Sequence, residues 1–139
     1  MKTKTALLIL LLTLTFSCNK KNNTTEFKAI KLDGLTLNNN QKWNANKETH
    51  IGMNRIDSIL KNNTTLDPKI IGEALSKQTG YIIKSCNMTG EAHHQLHVVL
   101  VPILETIGDL KEAQNNSELE KKTKTLQQLT TTYFNFFKI

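Results

Sequence analysis

The sequence predicts an all-α fold, an antiparallel up-down four-helix bundle behind a flexible N-terminal tether. Two observations predict it. From Trp43 onward apolar residues recur at helical spacing in four stretches, and short polar turns rich in Asn, Thr and Gly separate them. The expected organisation is a signal segment over 1–17, a tether over 18–42 and a bundle over 43–139.

The chain opens on Met1-Lys2-Thr3-Lys4, and an apolar run from Ala6 to Phe16 follows. The run ends at Ser17-Cys18 and gives way at once to Asn19-Lys20-Lys21. A basic start, a short apolar stretch and a small residue before the break are the marks of an export signal. Eleven apolar-run residues are too few to span a bilayer core as a helix, which takes about 20. Removing residues 1–17 leaves 122 residues (139 less 17), enough for one domain and a tether. Lys2 and Lys4 leave with the signal, so the formal charge falls from +6 to +4. No basic run is interleaved with aromatic residues, which argues against a nucleic-acid partner.

Residues 19–42 are rich in Asn, Lys and Thr and read as a tether between membrane and domain. Phe27 to Leu32 partly alternates and Asp33-Gly34 is a turn signal before Leu35-Thr36-Leu37, so a short hairpin over 27–37 is one option. Asn44 or Asn46 can cap the first helix, whose Met53, Ile56 and Leu60 share a stripe. Gly52 in that helix costs about 1 kcal/mol against Ala, or admits a close neighbour. Asp67 and Pro68 mark the start of the second helix, with Ile71, Ala74, Leu75, Gln78 and Ile82 facing inward. It runs to about Cys86. After the turn at Asn87 to Gly90, a third helix aligns Ala92, Leu96, Val99, Leu100, Ile103, Ile107 and Leu110. Pro102 within it predicts a kink, or a division into two helices. Ser117 to Glu120 reads as a capping box for the last helix, which carries Leu119, Thr123, Leu126, Leu129, Tyr133, Phe136 and Phe137.

Chemistry concentrates in one stretch. Three of the four histidines, His93, His94 and His97, lie within five residues, close after Cys86 and Met88. His93 and His97 are one helical turn apart, so both imidazoles project from one side and can grip one ion. With Leu96 at the centre of the apolar stripe, His93 falls roughly 60° away, His97 roughly 100° and His94 roughly 160°, toward water. Thiolate, thioether and imidazole donors suit copper(I), while zinc would use the Cys and His alone. Cys86, Met88, His93 and His97 are therefore the expected metal donors, with His50 and Met53 as a further soft pair. Met and His from different helices would also serve a b-type haem; Cys-x-x-Cys-His is absent. The plain alternative for each residue is packing or solvation, with Cys86 a small buried hydrophobe. Glu91 is placed to orient an imidazole. No nucleophile with a base and orienter, no Gly-rich phosphate loop and no His-Glu-x-x-His appear, so an enzyme is not expected.

Two resemblances bear on function. The residues ending at Cys18 resemble the bacterial lipobox, although Thr15 stands where that family prefers Leu and Phe16 is bulky for its place. The resemblance implies that Cys18 carries a diacylglyceryl group, the attached acyl chains (palmitate is typical) anchoring the protein; ordinary secretion is the alternative. Each buried methylene would contribute about 0.8 kcal/mol. The stretch from Trp43 onward is similar to small helical lipoproteins of Gram-negative bacteria that carry Cys-x-Met-x-Gly-x-x-His-x-x-Leu-His before a Pro-containing helix. Cys86, Met88, Gly90, His93, Leu96, His97 and Pro102 match that pattern. The expectation is a non-enzymatic lipoprotein of the cell envelope, facing periplasm or cell surface, that binds copper or zinc. Its alternatives are an adaptor or inhibitor acting on an envelope protein, and a haem-binding bundle.

Overall fold

The computed structural model describes residues 27–139. The expected signal segment and Cys18 lie outside the described residues. Four helices form: α1 Lys47–Asn62, α2 Pro68–Ser85, α3 Gly90–Lys111 and α4 Asn116–Phe136. Each packs on the next in sequence and α4 closes the ring on α1, which is the four-helix bundle expected. Met53, Ile56, Leu75, Ile82, Leu96, Val99, Ile103, Leu110, Leu126 and Tyr133 are fully enclosed in a single core. Among the described residues no helix is long and apolar enough to cross a membrane.

The helix ends follow local chemistry, with two departures from expectation. Asp67 accepts from the N–H groups of Lys69 and Ile70, and Pro68 takes the first helical position. Asn46 precedes α1 without capping it through its side chain. Its amide instead donates to Ser85 O at 2.9 Å, tying the start of α1 to the end of α2. The cap of α4 is Asn115 rather than Ser117, because the Asn115 carboxamide oxygen accepts from Glu118 N–H at 3.0 Å. Glu118 in turn accepts from Gln114 N–H at 2.9 Å. The helix therefore starts earlier than Ser117 suggests. Pro102 does not divide α3, which is a single helix from Gly90 to Lys111.

The segment before the helices departs further. Asp33-Gly34 does turn, with Gly34 at φ +83°, but no paired strands flank it, so no hairpin forms over 27–37. Ile30, Leu32 and Leu35 pack on the core instead. The Ile30 N–H donates to Thr132 Oγ1 at 2.9 Å, and the Thr36 N–H donates to the Gln95 carboxamide at 2.8 Å. Trp43 Nε1–H closes back on Thr36 O at 2.7 Å. Residues 27–42, read as tether, thus form a strap across α3 and α4, because side-chain acceptors on those helices satisfy its backbone. Asn39 and Asn40 make a tight reversal at φ 48° and 65°, flanked by a bridge between Asn38 and Gln41. Asn tolerates that left-handed region better than most residues.

The strap ends in β1, Trp43–Asn44, which pairs in parallel with β2, Phe137–Lys138. Trp43 stands opposite Phe137 and Asn44 opposite Lys138. The helical spacing that includes Phe137 in the last helix therefore overruns by one residue. Phe137 is buried and its ring stacks on Tyr133, with centroids 5.0 Å apart and planes 6° apart.

Gly52 faces α2, and a Cβ there would run into Ile82 Cγ1 and lie 2.8 Å from Ile82 Cδ1. Helix propensity favours Ala over Gly by about 1 kcal/mol. Overpacking a filled core costs about 1–3 kcal/mol, and Ile82 is itself fully enclosed. Packing should win. Gly52→Ala is expected to lower unfolding free energy by about 1 kcal/mol, read from urea denaturation; a stabilised variant would show that Ile82 moves aside freely.

Candidate functional site

The donor-rich stretch surrounds the junction between α2 and α3. Cys86 follows the last residue of α2 and is a free, half-buried thiol. Met88 lies in the turn, also half-buried, and both sulfur side chains pack against the core. Gly90 opens α3 at φ +64°, a conformation that costs Gly little. One turn of helix then sets out the imidazoles. His93 is half-buried, while His94 and His97 are exposed.

His93 and His97 meet. Their ring centroids are 4.4 Å apart with planes inclined at 68°. The spacing comes directly from the helical turn that separates them. Among the described residues, however, no three His, Cys, Asp or Glu side chains gather into a set able to hold a metal ion. The histidine pair is thus present, and Cys86 does not complete a three-donor set with it. Two imidazoles can share an ion whose remaining positions are filled by exchangeable ligands.

Glu91, two residues before His93, contacts Gln95 and the neighbouring imidazole of His94. Its carboxylate accepts from Gln95 Nε2 at 2.8 Å and lies 3.5 Å from His94 Nδ1. The Gln95 hydrogen bond, and then His94, hold this carboxyl below its ordinary value. Gln95 is buried, and its carboxamide oxygen receives the strap at Thr36. Sequence reasoning passed over Gln95, although its position one turn after Glu91 signals the pair.

His50 and Met53, the other soft pair, separate in role. Met53 is enclosed in the core. His50 is half-buried, with Nδ1 3.3 Å from the Tyr133 hydroxyl and its ring edge-on to Phe134 at 5.5 Å. α1 packs chiefly on α2 and α4, so His50 looks toward α4 and not toward the histidines of α3. His97, by contrast, is exposed on α3.

Desolvation lowers the His50 pKa from 6.5, and the nearby Lys42 charge lowers it further. Lys42 is fixed beside it by donating to Phe134 O at 2.6 Å. A neutral imidazole suits the Tyr133 hydroxyl, which can donate to Nδ1; burial raises the pKa of that hydroxyl and keeps it protonated. Sequence reading missed this His50–Tyr133–Lys42 corner because Tyr133 lies 83 residues beyond His50 in the chain.

No protein-family model, curated protein or solved structure matches this chain. The native state prefers neutral His50, so its contribution is present above pH 6.5 and is lost as pH falls through the lowered native pKa. Thermal unfolding between pH 7.5 and 5 should show falling stability in the wild type and a flatter profile in His50→Gln. Parallel profiles would remove His50 from the account.

Proposed function

We propose that this protein is a non-enzymatic lipoprotein of the bacterial cell envelope, held to a membrane through Cys18, with His93 and His97 as an exchangeable site for copper or zinc. The anchoring half is supported by the basic start, the apolar run to Phe16 and the abrupt polar chain after Cys18. The binding half is carried by one observation, the 4.4 Å approach of the two imidazoles at the accessible start of α3. A site with two fixed imidazoles binds more loosely than a closed site with four protein donors and releases its ion more readily. Cys86 and Met88, half-buried at the junction that leads into α3, are the soft donors nearest the pair in sequence. That arrangement suits sensing, buffering or passing on an ion better than catalysis.

The two halves have separate tests. Metabolic labelling with an alkyne-bearing palmitate should mark the wild type and leave Cys18→Ala unmarked; equal labelling of both would end the anchoring reading. Calorimetric titration of the lipid-free protein with copper or zinc under reducing conditions should give saturable uptake that disappears in His93→Ala/His97→Ala. Cys86→Ser should weaken it less than either histidine change, since Cys86 stands outside the pair. Uptake no greater than that of the double variant would end the metal reading.

A further inference from the structure

At the end of the bundle away from the histidines, where α1 gives way to α2 and α4 begins, there is a cleft of about 530 Å3. Phe27, Leu66, Ile71 and Leu119 are its apolar lining, and Glu120, Thr123 and Lys124 are among the polar residues that line it as well. The volume falls within the roughly 300–1,000 Å3 of small-molecule sites. Leu66 immediately precedes the Asp67 cap and Ile71 lies in the first turn and a half of α2, the placement of a hydrophobic staple. Such a pair normally closes on itself. Here Leu66 remains 67% exposed, so the cleft stays open along its side.

We infer that this cleft takes the acyl chain of a single-chain zwitterionic amphiphile, of the lysophosphatidylethanolamine type, from the membrane to which the protein is anchored. Three observations carry the choice. The apolar wall and half-open form suit one hydrocarbon chain entering from the side. Glu120 and Lys124 lie four residues apart on α4 and form no ion pair among the described residues, so each is available to the opposite charge of a headgroup bearing both. Phe27, the first described residue, is itself part of the lining, and it lies nine positions after Cys18. Fully extended, that length reaches about 30 Å. The cleft is therefore kept within reach of the bilayer while the histidines occupy the opposite end. The inference rests on the proposed anchoring at Cys18.

The four packed helices lie within residues 47–136, so the chain from residue 18 bearing Cys18→Ser serves as the lipid-free protein. The probe is a fluorescent lysophosphatidylethanolamine below its micelle concentration, followed by anisotropy. Saturable one-to-one binding is expected. Thr123→Trp, which fills the cleft, should weaken it at least tenfold, and Lys124→Glu severalfold. Leu66→Asp changes a mostly exposed side chain, so it should weaken binding while leaving helical content and Tm in place. No saturable binding, or binding indifferent to Thr123→Trp and Leu66→Asp, would overturn the inference. Equal affinity for palmitate would overturn the headgroup assignment. Binding by the lipid-free chain but not by the acylated protein would give the cleft to the protein's own anchor, also overturning it. Palmitate labelling at Cys18 is scored separately: labelling without cleft binding sinks only this inference, and binding without labelling sinks only the anchoring.

Discussion

Mutual burial of four apolar stripes is the interaction on which the rest of this molecule depends. Cys86 is a free thiol, so no disulfide crosses the described part of the chain and the helices are joined only by short turns. The core must supply the stability, at about 25 cal/mol for each Å2 of apolar surface removed from water. Residues from all four helices are fully enclosed, which is why closing the ring by packing α4 on α1 matters. A helix whose stripe lacked one neighbour would leave that surface wet.

The second constraint is the corner where the two ends of the described chain meet. β1 and β2 are too short to be stable in isolation. They persist because Phe137 is buried against Tyr133 and the strap is held on both sides of the corner. Thr132 and Gln95 each present a polar atom that accepts from the strap backbone, at Ile30 and at Thr36. The consequence is functional as well as structural. The strap is tied to α3 and α4 through those two side chains, and to β2 through Ala45, whose N–H donates to Lys138 O at 2.8 Å. The strap thus couples the N-terminal end of the described chain to the helix that carries the histidine pair.

Local contacts were legible in the sequence to a useful degree. His93 and His97 meet because a helical turn brings residues four apart together, and that holds in any fold that keeps α3. The Asp67 cap, the helical stripes and the exposed position of His94 follow from the same short-range geometry. The relation of Cys86 to the histidines is different in kind. It depends on the path of the turn through Asn87 and Met88, and there burial of both sulfur side chains against the core decides the outcome. The strap was hidden for a similar reason. Its Asn, Lys and Thr content resembles a solvated linker, yet three apolar side chains and two borrowed hydrogen bonds suffice to lay it down.

By itself, then, the sequence determined the helices, the stripes that make them a bundle, and the adjacency of two imidazoles. All of these are set by interactions within a few residues of each other, where periodicity and capping are physically sufficient. Tertiary structure alone decided that His50 faces Tyr133, that Gln95 receives the strap, and that Phe27 joins Leu66, Ile71 and Leu119 around one cleft. Those pairings bring together residues from distant parts of the chain. They exist only because packing the whole core chooses which ends and faces come together, a choice that no local pattern encodes.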